Sequence, residues 1–345
     1  MSGNTRLKIV HVLLSKGFAG SERSTSESCN RQSLEHDVTL VLRKDHRKND
    51  VSVVDHLNGN INIVEISPRW FTCRELRLRL AHIKPDVIHC HLRRSTRLVA
   101  KIDPTAATVS TLHIDANGPH FMKMDGLICN ARWQIENLPL EYTGQTHKAH
   151  NSLVSHRRLS IEEIQKLRAE LNVNNDDILV GAVGRYHVSK GWDTLIEAFK
   201  SIEADSARLV FLGAGSDEAK LKALAGNDNR IKFAGYRKDV KDLYQCFDLM
   251  VCPSRFEPLP RVMLEGYDAG VAMIASDTGG CKELIEDYGG LMFQTGNVDD
   301  LSKILKQALS HPEPKRQIDL SSHYVENANG EIVKFYRRLI EKKRK

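Results

Sequence analysis

Short apolar runs of strand length recur through both halves of this 345-residue chain, separated by segments of helical or turn character. In the first half they read "LKIVHVLL", "HDVTLVLR", "INIVEI", "PDVIHCH", "ATVSTLHI" and "MDGLICN". A strand that is apolar at nearly every position is covered on both faces, which is the condition of a parallel sheet between two layers of helix. The polar, irregular stretch "TGQTHKAHNSLVSHRRLS" around residues 144–160 breaks the pattern and reads as a linker. After it, "SIEEIQKLRAEL" opens with Ser160 and Glu163 in capping-box spacing. The runs "ILVGAVG", "ARLVFLG", "RIKFAG", "LMVCPS" and "VAMIAS" then resume the alternation. The expected fold class is α/β, with two doubly wound domains. No short-period repeat joins them, so they are alike in architecture only.

Length and composition agree with this. At ~150 residues per domain the chain suits two domains, and 41% hydrophobic residues supply their cores. A formal charge of +6 favours anionic partners without choosing among phosphates, nucleic acid and lipid. The seven cysteines are scattered, mostly within apolar runs, with no metal-ligand spacing, so they read as reduced and structural and no metal site is expected. No run approaches the ~18 apolar residues of a membrane span, and "MSGNTRLK" lacks the apolar core of a signal peptide. The expected location is the cytoplasm.

Ligands of doubly wound sheets bind beyond the carboxyl ends of the strands, so the loops there carry the chemistry. "GRYHVSKG" brings Arg185 and Lys190 after a strand, either as cations for a diphosphate or as a solvated basic loop. "GAGSDEAKL" places Gly213 and Gly215 before a helix, for close approach to a ligand or for a tight turn. "SDTGGCKEL" repeats that arrangement with Gly279 and Gly280. In "RFEPLPRVMLEG", Glu257 and Glu265 stand eight positions apart. With Pro258 or Pro260 in the first helical turn, the two acids lie roughly 12 Å apart along one side of a helix. An elongated ligand rich in hydroxyls spans that distance, because a carboxylate accepts two hydrogen bonds from a vicinal diol.

Taken in order, "GRYHVSKGWDTLIEAF", "ARLVFLGAGSDEAKLKALA", "RIKFAGYRKDVKDLYQCFDLMVCPSRFEPLPRVMLEG" and "SDTGGCKELI" resemble the donor-binding half of the retaining GT-B glycosyltransferases, family 4. The acid pair is similar to that family's E-x7-E motif. The N-terminal half matches more loosely, through "GFAGSER", "DVIHCH", "STLH" and "ICNARW". The resemblance implies two Rossmann-like domains facing across a cleft: an acceptor domain over 1–155, a donor domain over 156–328, and a helix over 329–345 packing back toward the first. It also implies metal-independent transfer of a hexose from a UDP- or GDP-sugar, with no cofactor beyond that donor and with the anomeric configuration retained. By position, Arg185 and Lys190 hold the diphosphate, Glu265 the ribose, and Glu257 with Leu259 the donor sugar. Gly213 and Gly215 line the donor site, and His113 lies beside the donor sugar. The loop with Gly20 and Glu22 faces the diphosphate and the acceptor. Retention without a carboxylate nucleophile implies same-face attack, the leaving phosphate taking the acceptor proton.

The chain departs from the family at Pro260, where a glycine is usual, and at "HNSL", which replaces Pro-Asn-Gly at the linker. Proline lacks an N–H, which puts one contact to the donor sugar in doubt. An inactive scaffold is disfavoured by retention of both acids, both cations and His113. A nucleic-acid partner finds no aromatic-interleaved basic motif, and a dehydrogenase finds no GxGxxG, since "GFAGSE" is not one. The expected acceptor is a lipopolysaccharide core or O-antigen glycan at the inner membrane face, with a soluble small molecule as the alternative. An anionic membrane surface is expected as a further partner. Residues 68–84 read as a helix mixing Trp70, Phe71, Leu76, Leu80 and Ile83 with Arg69, Arg74, Arg77, Arg79 and Lys84, either as a covering helix with a wet basic face or as a lipid-docking one. "RKDHRK" at 43–48 and "HLRRSTR" at 91–97 would add to its basic side.

Overall fold

In the computed structural model, which describes residues 5–345, the chain forms two compact units. One holds the chain up to Val154 together with Ser321–Lys345, and the other is Ser155–Leu320.

The first unit contains seven strands: β1 (Lys8–Leu13), β2 (Asp37–Arg43), β3 (Asn62–Ile66), β4 (Val87–His91), β5 (Ala107–Leu112), β6 (Gly126–Cys129) and β7 (Gln145–Lys148). They pair in parallel in the order β3-β2-β1-β4-β5-β6-β7. Successive residues of a strand point to opposite faces, so each strand feeds two cores. Ile9, Leu13, Leu40 and Val87 pack under the terminal helix, while Val10, Val12, Val41 and Ile88 pack with Leu76, Leu80 and Val99. The terminal helix Val325–Arg344 buries Ala328, Ile332, Phe335, Tyr336, Leu339 and Ile340, a stripe at helical spacing. Each large apolar side chain fully buried in such a stripe contributes roughly 1.5–3 kcal/mol. The outgoing and returning segments pair beside each other: Leu153 N–H donates to His323 O at 2.7 Å and Val325 N–H to Leu153 O at 2.9 Å.

The second unit contains β8 (Ile178–Val183), β9 (Ala207–Leu212), β10 (Ile231–Gly235), β11 (Leu249–Cys252), β12 (Ala272–Ser276) and β13 (Leu291–Phe293), in the order β10-β9-β8-β11-β12-β13. Both sheets wind out in one direction from their first strand and in the other from their fourth. The crevice at such a reversal, between β1 and β4 and between β8 and β11, opens at the strands' carboxyl ends.

Three local expectations change. The region read as a linker begins with the edge strand β7, in which no apolar run announces a strand because an edge strand needs only its backbone to pair. The helix expected over 68–84 spans Thr72–Ile83. Its start is set by the Thr72 hydroxyl on Ser67 O and Arg69 O and by Glu75 accepting from Ser67, so Trp70 and Phe71 stand before it, 81% and 69% exposed. Pro260 is the N-cap of the helix Arg261–Asp268 and not part of its first turn. Glu257 therefore precedes the helix, and the two acids do not share a helical face.

Candidate functional site

In the second unit, the loop after β8 carries Arg185 and then a single 3-10 turn, Val188–Lys190, before the helix Trp192–Lys200. Trp192 Nε1 donates to Arg185 O at 2.9 Å, and Tyr186 N–H donates to Ala214 O at 3.0 Å. These bonds anchor the backbone while the Arg185 side chain stays exposed. Gly213 and Gly215 explain how the loop lies so close. A Cβ on Gly213 would come within 1.9 Å of Gly184 O, and one on Gly215 within 2.2 Å of Tyr186 O. Both glycines admit the neighbouring loop, so their direct effect is to place Arg185.

Lys190 donates to Glu257 Oε2, joining the loops after β8 and β11. The two side chains are only 20% and 15% exposed. Burial works against the ammonium charge, but the Glu257 carboxylate outweighs it and holds the Lys190 pKa above its ordinary value. Arg255, for which no role was expected, forks onto Asp193 at 2.8 and 2.9 Å, and its backbone N–H donates to Ser189 O at 2.8 Å. That clamp draws the acid-bearing loop against the Lys190 turn. From the other side Gly280 N–H donates to Glu257 O at 3.0 Å, and a Cβ on Gly280 would meet Pro258 O at 2.3 Å. Leu259 is buried beneath. Glu265 lies apart from this group: it is 8% exposed, accepts the Tyr244 hydroxyl at 2.8 Å and lies 3.5 Å from Arg261 Nε. The structure thus pairs Glu257 with Lys190, in the loop that also carries Arg185, and buries Glu265 against Tyr244. No arrangement of residue types in the sequence signals the Arg255 clamp or the Tyr244 bond, since each joins segments more than twenty positions apart, save the spacing of a cation and an acid.

In the first unit, Gly20 is the first residue of the helix Gly20–Gln32, and a Cβ there would meet nothing within 4 Å. Glu22, in the loop expected to face the diphosphate and the acceptor, caps its own helix. Its carboxylate accepts from Ala19 N–H at 3.1 Å and from the Ser15 and Ser21 hydroxyls, and only 4% of the residue is exposed. A glutamate at the third position of a helix folds back to cap it, and here that preference decides. His113 follows β5. Burial lowers its pKa to about 4, partly offset by the Glu22 charge, so the ring is neutral at neutral pH.

Beside it lie three histidines for which no role was expected. His89 and His91 alternate to one face of β4, and the register that sets His11 opposite His89 brings a third to that face. His89 bonds Tyr336 Oη and Thr111 Oγ1, each at 2.6 Å. His11 bonds His91 Nε2 and Gln32 Oε1, each at 2.9 Å. Ring nitrogens of the three lie within 4.8 Å of one another, but every nitrogen of His11 and His89 is already engaged by protein, so the donor set reads as a hydrogen-bond network and not as a metal centre. The "VIHCH" spacing was the available signal; the missing element was strand register.

Residues 163–329 match the family model described as "Glycosyl transferases group 1". The chain is 25% identical over 244 residues to the lipopolysaccharide core biosynthesis glycosyltransferase LpsE of Rhizobium meliloti, covering 68% of this chain and 70% of that protein. It is 32% identical over 163 residues to the N,N'-diacetylbacillosaminyl-diphospho-undecaprenol alpha-1,3-N-acetylgalactosaminyltransferase of Campylobacter jejuni, covering 46% of this chain and 42% of that one. Among solved structures, Anabaena Alr3699/HepE in complex with UDP and glucose superposes with a TM-score of 0.79 at 20% identity, over 96% of this chain and 100% of that one. The fold is GT-B. The family match lies almost wholly over the second unit, and the fold match extends over nearly the whole chain.

Proposed function

We propose that this chain is a retaining, metal-independent glycosyltransferase of family 4, moving a hexose from a UDP- or GDP-sugar to a lipopolysaccharide core or O-antigen glycan. The carrying observation is the Lys190–Glu257 pair, with exposed Arg185 in the same loop as Lys190, where the second sheet reverses its winding. Lys190 and Glu257 neutralise each other. A diphosphate competes for the ammonium, and Glu257 is then released to accept from the hydroxyls of the sugar carried on that diphosphate. Arg185 and Lys190 stabilise the charge that grows on the leaving diphosphate, the task a metal performs elsewhere. The acceptor attacks from the face the diphosphate leaves, and the departing phosphate takes its proton. Lipopolysaccharide core biosynthesis by the Rhizobium relative, and the diphospho-undecaprenol acceptor of the Campylobacter one, support a lipid-linked glycan as acceptor.

The patch of Trp70, Phe71 and Leu78 with Arg74, Arg77 and Arg79, all exposed, supports docking on anionic lipid from the cytoplasmic side. The neighbouring cations contribute less than their number implies, because Arg43 and Lys16 pair with Asp45 and Arg47 pairs with Asp55. No described helix is long and apolar enough to cross a membrane. The activity test is a thermal titration with UDP, GDP and NAD, followed by a screen of UDP- and GDP-sugars for hydrolysis. A diphosphate nucleotide present at 100 times its Kd stabilises by about 2.7 kcal/mol. Stabilisation by NAD alone, or by none of the three, contradicts the reading.

A further inference from the structure

The histidine network of the first unit has a direction, and a backbone carbonyl sets it. Val325 O can only accept, and the Asn329 side chain lies 3.0 Å from it, so the group there is the amide nitrogen. Asn329 Oδ1 then points at Gln32 and accepts from Gln32 Nε2 at 3.0 Å. That turns Gln32 Oε1 toward His11, so His11 Nε2 carries a proton. Burial holds His11 neutral, its pKa lowered to about 4, which leaves Nδ1 a bare lone pair. His91 Nε2 must therefore donate to it across 2.9 Å, and His91 Nδ1 must be an acceptor. The carbonyl fixes the proton on His11 Nε2, and the neutrality of His11 then fixes those on His91.

The relay ends on an unused atom. His91 is 3% exposed, and its Nδ1 has no hydrogen-bond partner among the described residues. The adjoining ring is His113, 5.8 Å away between centroids, whose Nε2 is likewise buried and without a partner. A buried acceptor and a buried nitrogen left without partners are each costly, and a hydrogen bond between the two removes both costs. The backbone at this point is also held in an unusual conformation: Leu92, directly after His91, has a φ of 66°, which L side chains rarely adopt. We propose that His91 is a positioning residue, whose Nδ1 lone pair receives Nε2–H of His113 when substrate binds, fixing the tautomer that turns the Nδ1 lone pair of His113 toward a sugar hydroxyl. The terminal helix, through Asn329, thereby sets the proton pattern of a residue more than 200 positions earlier. This rests on the reading of His113 as a donor-sugar residue.

Long-range proton–nitrogen NMR on the full-length protein with labelled histidine tests the relay without substrate. His11 and His91 should both appear as neutral Nε2–H tautomers at pH 7; a cationic His91, or one protonated at Nδ1, overturns it. Gln32→Glu reverses the direction. The carboxylate raises the His11 pKa, and protonated His11 donates from Nδ1 to His91, forcing the His91 proton onto Nδ1 against His113. His89 and His91 from β4 and residue 32 on the first helix bear on His11 directly; Tyr336 from the terminal helix bonds His89, and Glu22 bears on His113 after β5. In Gln32→Glu turnover should fall ~10-fold at pH 6 and return as pH rises above the new His11 pKa, with KM for the donor changed less than twofold. Loss that stays constant with pH shows a structural role only. His91→Asn, which keeps an acceptor at the δ position, should retain several-fold more turnover than His91→Gln, which moves it to ε; equal loss counts against the proposal. If wild-type NMR agrees but no sugar nucleotide is turned over, the relay stands and the glycosyl-transfer reading fails.

Discussion

The two units wind their sheets in the same order, yet they equip the carboxyl edge in opposite ways. Beyond β8 and β11 the second unit presents fixed charges: Arg185, the Lys190–Glu257 pair, and the Arg255–Asp193 clamp. At the ends of β4 and β5 the first unit presents neutral rings: His91, hydrogen-bonded to His11, and His113 beside it. A diphosphate is an anion, and the proposed partners for its developing charge are cations. A sugar hydroxyl is neutral and weakly acidic, and the proposed partner for it is a lone pair of fixed direction. Equal folds therefore do not imply equal chemistry; the loops and the strand register assign it.

The largest expected effect separates the units by pH. Burial lowers the pKa values of His11 and His113 from 6.5 to about 4 and those of His89 and His91 well below 6.5. The unfolded chain binds protons the folded one refuses, so stability rises with pH and is lost as pH falls from 6.5 toward 4. His11 and His113 alone account for about 2 kcal/mol apiece by pH 5. Hydrogen-exchange protection of β1 and β4 should fall between pH 7 and pH 5 by orders of magnitude more than that of β8 and β11; parallel loss in both sheets would remove the contrast.

Removing charge from the second unit comes next. Arg185→Ala should lower kcat/KM ~100-fold with little change in Tm, because its side chain is exposed. Lys190→Ala should lose as much activity and also stability, on the order of 1–3 kcal/mol, since it strands the Glu257 carboxylate. Unchanged Tm in Lys190→Ala, or near wild-type transfer by either variant, would break the assignment of fixed charge to this edge.

His113→Ala should reduce turnover about 10-fold while UDP or GDP affinity stays within twofold, because the ring belongs to the unit assigned to hydroxyls and not to phosphate. An equal loss of nucleotide affinity would merge the two roles. The smallest effect is at the surface. Each exposed cation near anionic lipid adds about 1 kcal/mol, so the wild-type protein should co-sediment with anionic but not zwitterionic vesicles, weakening with salt and on changing Arg74, Arg77 and Arg79 to glutamate. Protein left in the supernatant at low salt would assign the acceptor to solution.

Much was legible from the chain alone. Eleven of the strands show as apolar runs, because a strand covered on both faces has no room for polar residues. The capping box at Ser160 and Glu163 forms as spaced, since its partners are three residues apart and need nothing else. Local rules stop where contacts are distant. Edge strand β7 carried no apolar signal, and the bonds by which Glu22 caps its helix were not read from the sequence. Gly213 and Gly215 read as a ligand loop or a tight turn, and only the tertiary structure shows that they admit the loop after β8. The relay from Val325 O to His91 joins residues 32, 11, 91 and 329, brought together by strand register and by a helix that returns from the far end of the chain. Apolar periodicity determines which segments become strands and helices, because burial acts on each segment by itself. Tertiary structure decides which lone pairs and charges meet, because a hydrogen bond acts over about 3 Å and the sequence contains no distances.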